Sequence, residues 1–210
     1  MYSQETEKII KSIDVHFMPL TLIDYTPRIR VGVEMKHGNN ISYCLDVGYG
    51  NYFLNKNRLV FDGMMWNEDY NFFEIRPELK YYFNDPEEYF NTYCALELFY
   101  IHMTDHMSNS YYHKDNTENI ILFDQADFLK DKLGLHVKAG CNIIAFNRLG
   151  FDVYLGLGVA WRQIRYQNVS NPTHGVHGGY EWYQPNYKFE GDRLIFHTTM
   201  GCKIGLLLNK

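Results

Sequence analysis

The chain of 210 residues has no unbroken apolar run near the roughly 18 residues of a membrane helix, which excludes a helical membrane protein. Its four cysteines, Cys44, Cys94, Cys141 and Cys202, stand singly without CxxC or CxxH spacing. Neither a zinc site nor a disulfide framework is indicated, and no metal is expected. GxxxxGK[ST], GxGxxG, HExxH and EF-hand patterns are all missing, so nucleotide, dinucleotide, zincin and calcium-loop chemistry have no support and no cofactor is expected. A basic excess is also lacking. The net charge is −5, and residues 107–131 carry Asp115, Glu118, Asp124, Asp127 and Asp131 against Lys114 and Lys130. Such acidity repels phosphate, excludes nucleic acid as a partner, and would meet lipopolysaccharide only through divalent cations.

What the chain does have is alternation. From Phe72 to Phe83, Phe73, Ile75, Pro77, Leu79, Tyr81 and Phe83 interleave with Glu74, Arg76, Glu78, Lys80 and Tyr82. Successive side chains of a strand point to opposite faces, so one face is apolar and the other an acid-base ladder. Arg28 to Lys36 and Leu194 to Leu206 repeat the split.

A soluble β-barrel binding protein also alternates, with its charges in water, and it stands as an alternative. The glycines favour the opposite orientation. Gly32, Gly48, Gly50, Gly134, Gly140, Gly156, Gly158, Gly201 and Gly205 all fall on the charged face. On a solvated face they weaken the strand without return, whereas in a narrow bore they make room for long charged side chains to cross. The inward set then holds Asp14, Glu34, Asp46, Glu74, Glu78, Glu97 and Asp152 against Arg28, Arg30, Lys36, Arg76, Lys80, Lys138, Arg162 and Lys203. Seven acids meet eight bases, the near neutrality that a closed polar interior requires.

The fold expected is a single all-β domain over 1–210: an eight-stranded antiparallel up-and-down transmembrane β-barrel with a polar, charge-paired lumen. Its strands are placed at 12–22, 28–37, 41–53, 71–83, 92–106, 132–146, 151–166 and 193–208. Aromatic residues make up 17% of the chain, and Tyr49, Tyr52, Phe53, Tyr81, Tyr82 and Phe83 near strand ends suit the two girdles of a spanning barrel. Short connections at 37–40, 84–86 and 147–150 alternate with long ones at 54–70, 107–131 and 167–192, the expected division between periplasmic turns and outer loops. Residues 1–11 form a periplasmic segment. Met1 to Ile10 is polar and charged, with no apolar signal-peptide core; export to the outer membrane demands a signal peptide, expected to have been removed beforehand.

The runs FMPLTLIDYTPRIRVGVEMKHGNNISYCLDVGYG, IRPELKYYF, FDVYLGLGVAWRQIRY and MGCKIGLLLNK resemble a small outer-membrane β-barrel family of Bacteroidetes-type bacteria whose function is uncharacterised. The resemblance covers nearly all strands. It implies an exported eight-stranded barrel, in some cases encoded beside fimbria-like or other cell-surface assemblies, and it carries no catalytic residues. Asn209-Lys210 departs from the terminal aromatic of other bacterial barrels, though this family often ends in Lys.

Two constellations offer chemistry or binding. His106-Met107-Ser108-Asn109 resembles the His-x-Ser-Asn segment of outer-membrane lipid A deacylases, which implies a His base, a Ser nucleophile, an Asn in the oxyanion hole, and Glu118 or Asp105 as orienting acid. The other is an apolar stretch, with Phe61, Met64, Met65 and Trp66 in a loop where water favours polar residues. It reads as a partner patch with Trp182 and Tyr183 beside it, or equally as a loop core packed against 167–192 through Trp182, Tyr183 and Tyr187. His102 and His106, four apart on one strand face, sit about 13 Å from each other, too far to share a metal. The function expected is that of a small non-conducting outer-membrane protein with a structural or interaction role. It would bind a partner through its outer loops, among outer-membrane lipid and lipopolysaccharide, or serve as a subunit of a larger surface assembly. An enzyme is the lesser expectation.

Overall fold

In a computed structural model the chain is described over residues 10–24, 26–38, 40–56, 69–83, 89–114, 120–145, 148–175 and 188–208. The fold is all-β. Its strands are β1 (Ile10–Phe17), β2 (Ile29–His37), β3 (Ile41–Asn51), β4 (Asn71–Tyr82), β5 (Phe90–His113), β6 (Ile120–Ala145), β7 (Leu149–Ser170), β8 (Thr173–Gly175) and β9 (Gly191–Leu207). They form one antiparallel sheet in the order β5-β4-β3-β2-β1-β9-β7-β6-β8, and β5 also pairs with β6, which closes the sheet into a ring. The three-residue β8 pairs only with β6 and stands outside that circuit.

The register fixes the shape of the ring. From Phe17 it runs through Val31, Val47 and Ile75 to Tyr100 of β5. In the other direction it runs through Ile204, Phe151 and Ile143 to Phe90 of the same strand. The two arrival points, 90 and 100, differ by ten residues, a stagger that tilts the strands by about 40°.

Burial follows the period of two. β2 and β3 alternate between exposed and buried at every position from Ile29 to Gly50, with Arg30, Glu34, Lys36, Ser42 and Asp46 inside and Val31, Val33, Met35, Tyr43 and Leu45 outside. The glycines sit where interior side chains cross. A Cβ on Gly32 would lie 2.0 Å from Asp46 Oδ1 and 2.5 Å from His16 Nε2, and one on Gly48 would lie 2.5 Å from Glu74 Oε1. Gly48→Val is therefore expected to cost roughly 1–3 kcal/mol, as overpacking does. Unfolding in detergent measures it, with the outward Val47→Ala as the mild comparison.

Several boundaries differ from those the sequence suggests. The first strand ends at Phe17, because Pro19 has no N–H to donate and starts a 3-10 turn over Pro19–Leu22. The third passes at Tyr52 into α1 (Tyr52–Lys56). The largest correction concerns 107–131, expected as a loop: β5 and β6 run through it as a long hairpin, and of that segment only 115–119 lie outside the described residues. β7 likewise continues to Ser170.

Along this extension the polarity of the two faces inverts. The outward positions turn from Leu98, Tyr100, Leu133, Val159 and Trp161 to His102, His106, Asp127, Asp131, Gln163 and Gln167. Inside, the charges give way to a buried apolar cluster that includes Met103, Met107, Tyr112, Ile121, Phe123, Phe128, Ile164 and Tyr166. The extension thus has the ordinary arrangement of a sheet, polar outside and apolar inside, mounted on a ring with the reverse arrangement.

Candidate functional site

Within the ring the ion pairs form one continuous chain. Glu74 accepts from Arg28 Nε at 2.6 Å, Arg30 Nε at 2.5 Å and Arg76 Nε at 2.8 Å. Arg76 reaches Glu97 at 2.9 Å, and Lys138 bridges Glu97 and Glu78. Lys203 joins Glu78 at 3.4 Å to Asp46 at 3.2 Å, and Lys80 joins Glu34 at 2.7 Å to Asp152 at 2.6 Å. Tyr82 and Tyr93 donate to Glu34 and Asp152, each at 2.6 Å, and Lys80 and Lys138 lie over the rings of Tyr93 and Tyr154. Charges this deeply buried are tolerable because each has partners of opposite sign.

Of the residues the sequence places inside, Arg28, Arg30, Glu34, Asp46, Glu74, Arg76, Glu78, Lys80, Glu97, Lys138, Asp152 and Lys203 meet in this chain. Asp14 is partly buried at one end, 3.3 Å from His16 Nδ1, and Arg162 is buried near Lys130 and Lys132 instead. Three histidines join that the expected charge network does not include, although His197 falls on the charged face of the last strand. His16 lies 2.6 Å from Asp46, His136 lies 2.8 Å from Glu97, and His197 lies 2.6 Å from His136. Their positions share the parity of the charged face, which was the available signal.

His16, Cys44 and Asp46 place three potential metal donors within 4.8 Å of one another. The Lys203 ammonium, 3.4 Å from Cys44 Sγ and 3.2 Å from Asp46 Oδ2, already supplies the cation there.

The interior is filled unevenly. Between Asp14, His16, Glu34, Asn142, Asp152 and Lys203 the remaining void is only about 10 Å³. Toward the other end lies a cavity of about 570 Å³ lined by, among others, Arg28, Arg30, Arg76, Lys130 and Lys132.

On the polar outer face of the extension, His106 Nδ1 lies 2.8 Å from Asp127 Oδ1, and His102 Nδ1 lies 2.8 Å from Asp131 Oδ1. Both are cross-strand pairs of the β5–β6 register. The Asn168 amide and the His106 ring hold the Asp127 carboxyl below its ordinary range. The acid on the His106 ring is therefore Asp127; Asp105 instead accepts from the His106 backbone N–H, and Glu118 lies outside the described residues. Ser108 shares the face with His106, but two residues along a strand is nearly 7 Å, beyond hydrogen-bond reach. Asn109 takes a left-handed backbone with φ of 49°, which Asn tolerates. These residues form a cross-strand ladder, and among the described residues no hydrogen bond joins the His106 ring to Ser108. The patch Phe61, Met64, Met65, Trp66, Trp182 and Tyr183 lies outside the described residues.

Compared with known proteins, the chain matches no family model, no curated protein and no solved structure.

Proposed function

We propose that this chain is a small outer-membrane β-barrel in which the eight strands of the circuit span the bilayer. It conducts no steady current and acts at the cell surface as a structural or interaction protein, through its outer loops and the polar extension. The observation that carries the reading is the belt of large apolar side chains around a ring filled with ion pairs. Phe73 to Tyr81 on β4 with Phe83 just beyond it, Phe90 to Tyr100 on β5 and Leu133 to Ile143 on β6 present mainly apolar side chains outward, interrupted by Thr92. Ten steps of about 3.3 Å, tilted by about 40°, span about 25 Å, the height of the apolar band on outer-membrane barrels. In water such a belt would far exceed the few hundred Å² of exposed apolar patch that a soluble monomer carries.

Tyr43, Tyr81, Phe83 and Phe90 lie toward one rim of the belt, and Tyr49, Phe73, Tyr100 and Trp161 toward the other, as aromatic girdles do. The polar collar of His102, His106, Asp127 and Asp131 then stands outside the bilayer, together with its apolar interior. No helix among the described residues is long and apolar enough to cross a membrane; spanning falls to the strands. A resemblance to exported barrels found beside surface assemblies points to a protein partner.

Protein refolded into lipid vesicles is expected to resist protease across the belt, and to migrate differently on gels before and after boiling. Complete digestion would refute the membrane assignment. In planar bilayers no stable, reproducible current steps are expected, because the interior beside Asp152 and Lys203 is closed by side chains. A steady single-channel conductance would contradict it. Co-purification from native membranes would identify the partner.

A further inference from the structure

The ring has one short seam. Pairing between β1 and β9 covers only Asp14 to Phe17 against Leu207 to Ile204. Beyond Ile204, β9 runs on to Gly191 with β7 along one edge and, among the described residues, no strand along the other. The cause is local: Pro19 ends β1, and the chain turns aside over Pro19–Leu22 before β2 begins at Ile29. Side chains on this stretch of β9 are unusually bare. Leu194, Phe196 and Met200 are 77%, 70% and 79% exposed, against 50% and 53% for Val153 and Leu157 on the fully flanked β7.

The 570 Å³ cavity opens at this gap. Its lining combines interior residues with the outward-facing Thr198, Met200 and Cys202 of β9 and Leu155 of β7, and with Leu20 and Ile23 of the turn region, so it passes through the wall. Its inner end is strongly cationic. Arg28, Arg30 and Arg76 share the single carboxylate of Glu74, apart from Asp24 on Arg28 and Glu97 on Arg76. Lys130 and Lys132 face the same space and form no ion pair among the described residues; Asp24, also in the lining, acts on Lys130 from a distance, while Arg76 and Arg162 add to the positive field at Lys132.

Unpaired strand backbone at membrane depth is tolerated only where it borders protein or a water-filled cavity, and half-buried cations that outnumber the carboxylates around them call for an anion. We propose that the cavity binds an amphiphile with an anionic head, a phosphate or a carboxylate, that enters sideways from the membrane through the β1–β9 gap. This rests on the membrane reading above. The acidic head sits on Lys130, Lys132 and Arg30, and the acyl chain lies across Met200, Leu155, Leu20 and Ile23. A headgroup larger than the cationic end remains outside in the gap, so the site selects for charge and chain together.

The test uses the full chain in dodecyl maltoside micelles, with dodecyl phosphate and inorganic phosphate as probes in calorimetric titrations. Dodecyl phosphate is expected to bind saturably, and at least 100-fold more tightly than inorganic phosphate. The double variant Lys130→Gln/Lys132→Gln is expected to weaken it at least tenfold while unfolding no more readily than the parent, since no ion pair is lost. Met200→Asp, at the mouth of the gap, is expected to weaken the chain-bearing probe and leave inorganic phosphate unchanged. Equal affinity for the two probes would leave an anion site and overturn lateral entry, and binding unaffected by the double Gln variant would overturn the proposal entirely. Insertion into vesicles is scored separately: a protein that inserts but does not bind refutes this inference alone, and one that fails to insert refutes both.

Discussion

Glu74→Gln is expected to destabilise the protein by roughly 3–5 kcal/mol, the cost of removing one partner from a buried ion pair and leaving its charge uncompensated. The effect should fall at the high end, because three guanidiniums, Arg28, Arg30 and Arg76, converge on this one fully buried carboxylate. Gln keeps the shape and some hydrogen bonding but removes the charge. Arg30 has no other carboxylate among the described residues, whereas Arg28 retains Asp24 and Arg76 retains Glu97. Urea unfolding in detergent measures the difference. Asp127→Asn, which alters a surface pair with His106, is the control and should cost no more than about 1 kcal/mol. Comparable losses for the two variants would mean that the interior charges are solvated rather than interlocked.

Leu79→Lys is expected to cost roughly 2–4 kcal/mol when the protein is folded into lipid vesicles, the penalty for a cation on the lipid face near the midplane of a spanning barrel. Leu79 points outward, 45% exposed, and is flanked by Tyr43 and Leu96 in the middle of the belt. The same charge placed at Gln167, on the outer face beyond the belt, should change stability by no more than about 0.5 kcal/mol. The contrast separates a lipid-facing surface from a water-facing one. If both variants fold equally well in vesicles, the belt does not meet lipid and the membrane assignment fails.

How much of this could be read from the chain depended on whether the code was local. The face occupied by Glu74, Arg76, Glu78 and Lys80 follows from parity alone, because a strand sends alternate residues to opposite sides whatever its neighbours are. The glycines then indicated which face is crowded. Parity failed to mark where strands end in the 107–131 region. A bulge between Gln125 and Asp127 breaks the period there, and Asp124, Asp127 and Asp131 resemble a solvated loop although they lie on or beside the polar face of a long strand. The inversion of polarity compounds the difficulty: Met103 and Met107 take the interior places that Glu97 and its neighbours occupy lower down, so an apolar-out rule applied throughout gives the wrong answer above Tyr100.

The sequence by itself determined the strand-rich class, the division of each strand into a charged and an apolar face, and the near balance of acids and bases on the charged one, since each depends only on composition and on a period of two. The tertiary structure decided which acid meets which base, that Lys130 and Lys132 border a cavity without an ion pair among the described residues, that His106 is held by Asp127, and that β1 pairs with β9 only over Asp14 to Phe17. Those outcomes depend on strand register, on the ten-residue stagger and on where Pro19 turns the chain aside, which bring together residues from 21 positions apart, as His106 and Asp127, to 157, as Asp46 and Lys203, and no period of two encodes such distances.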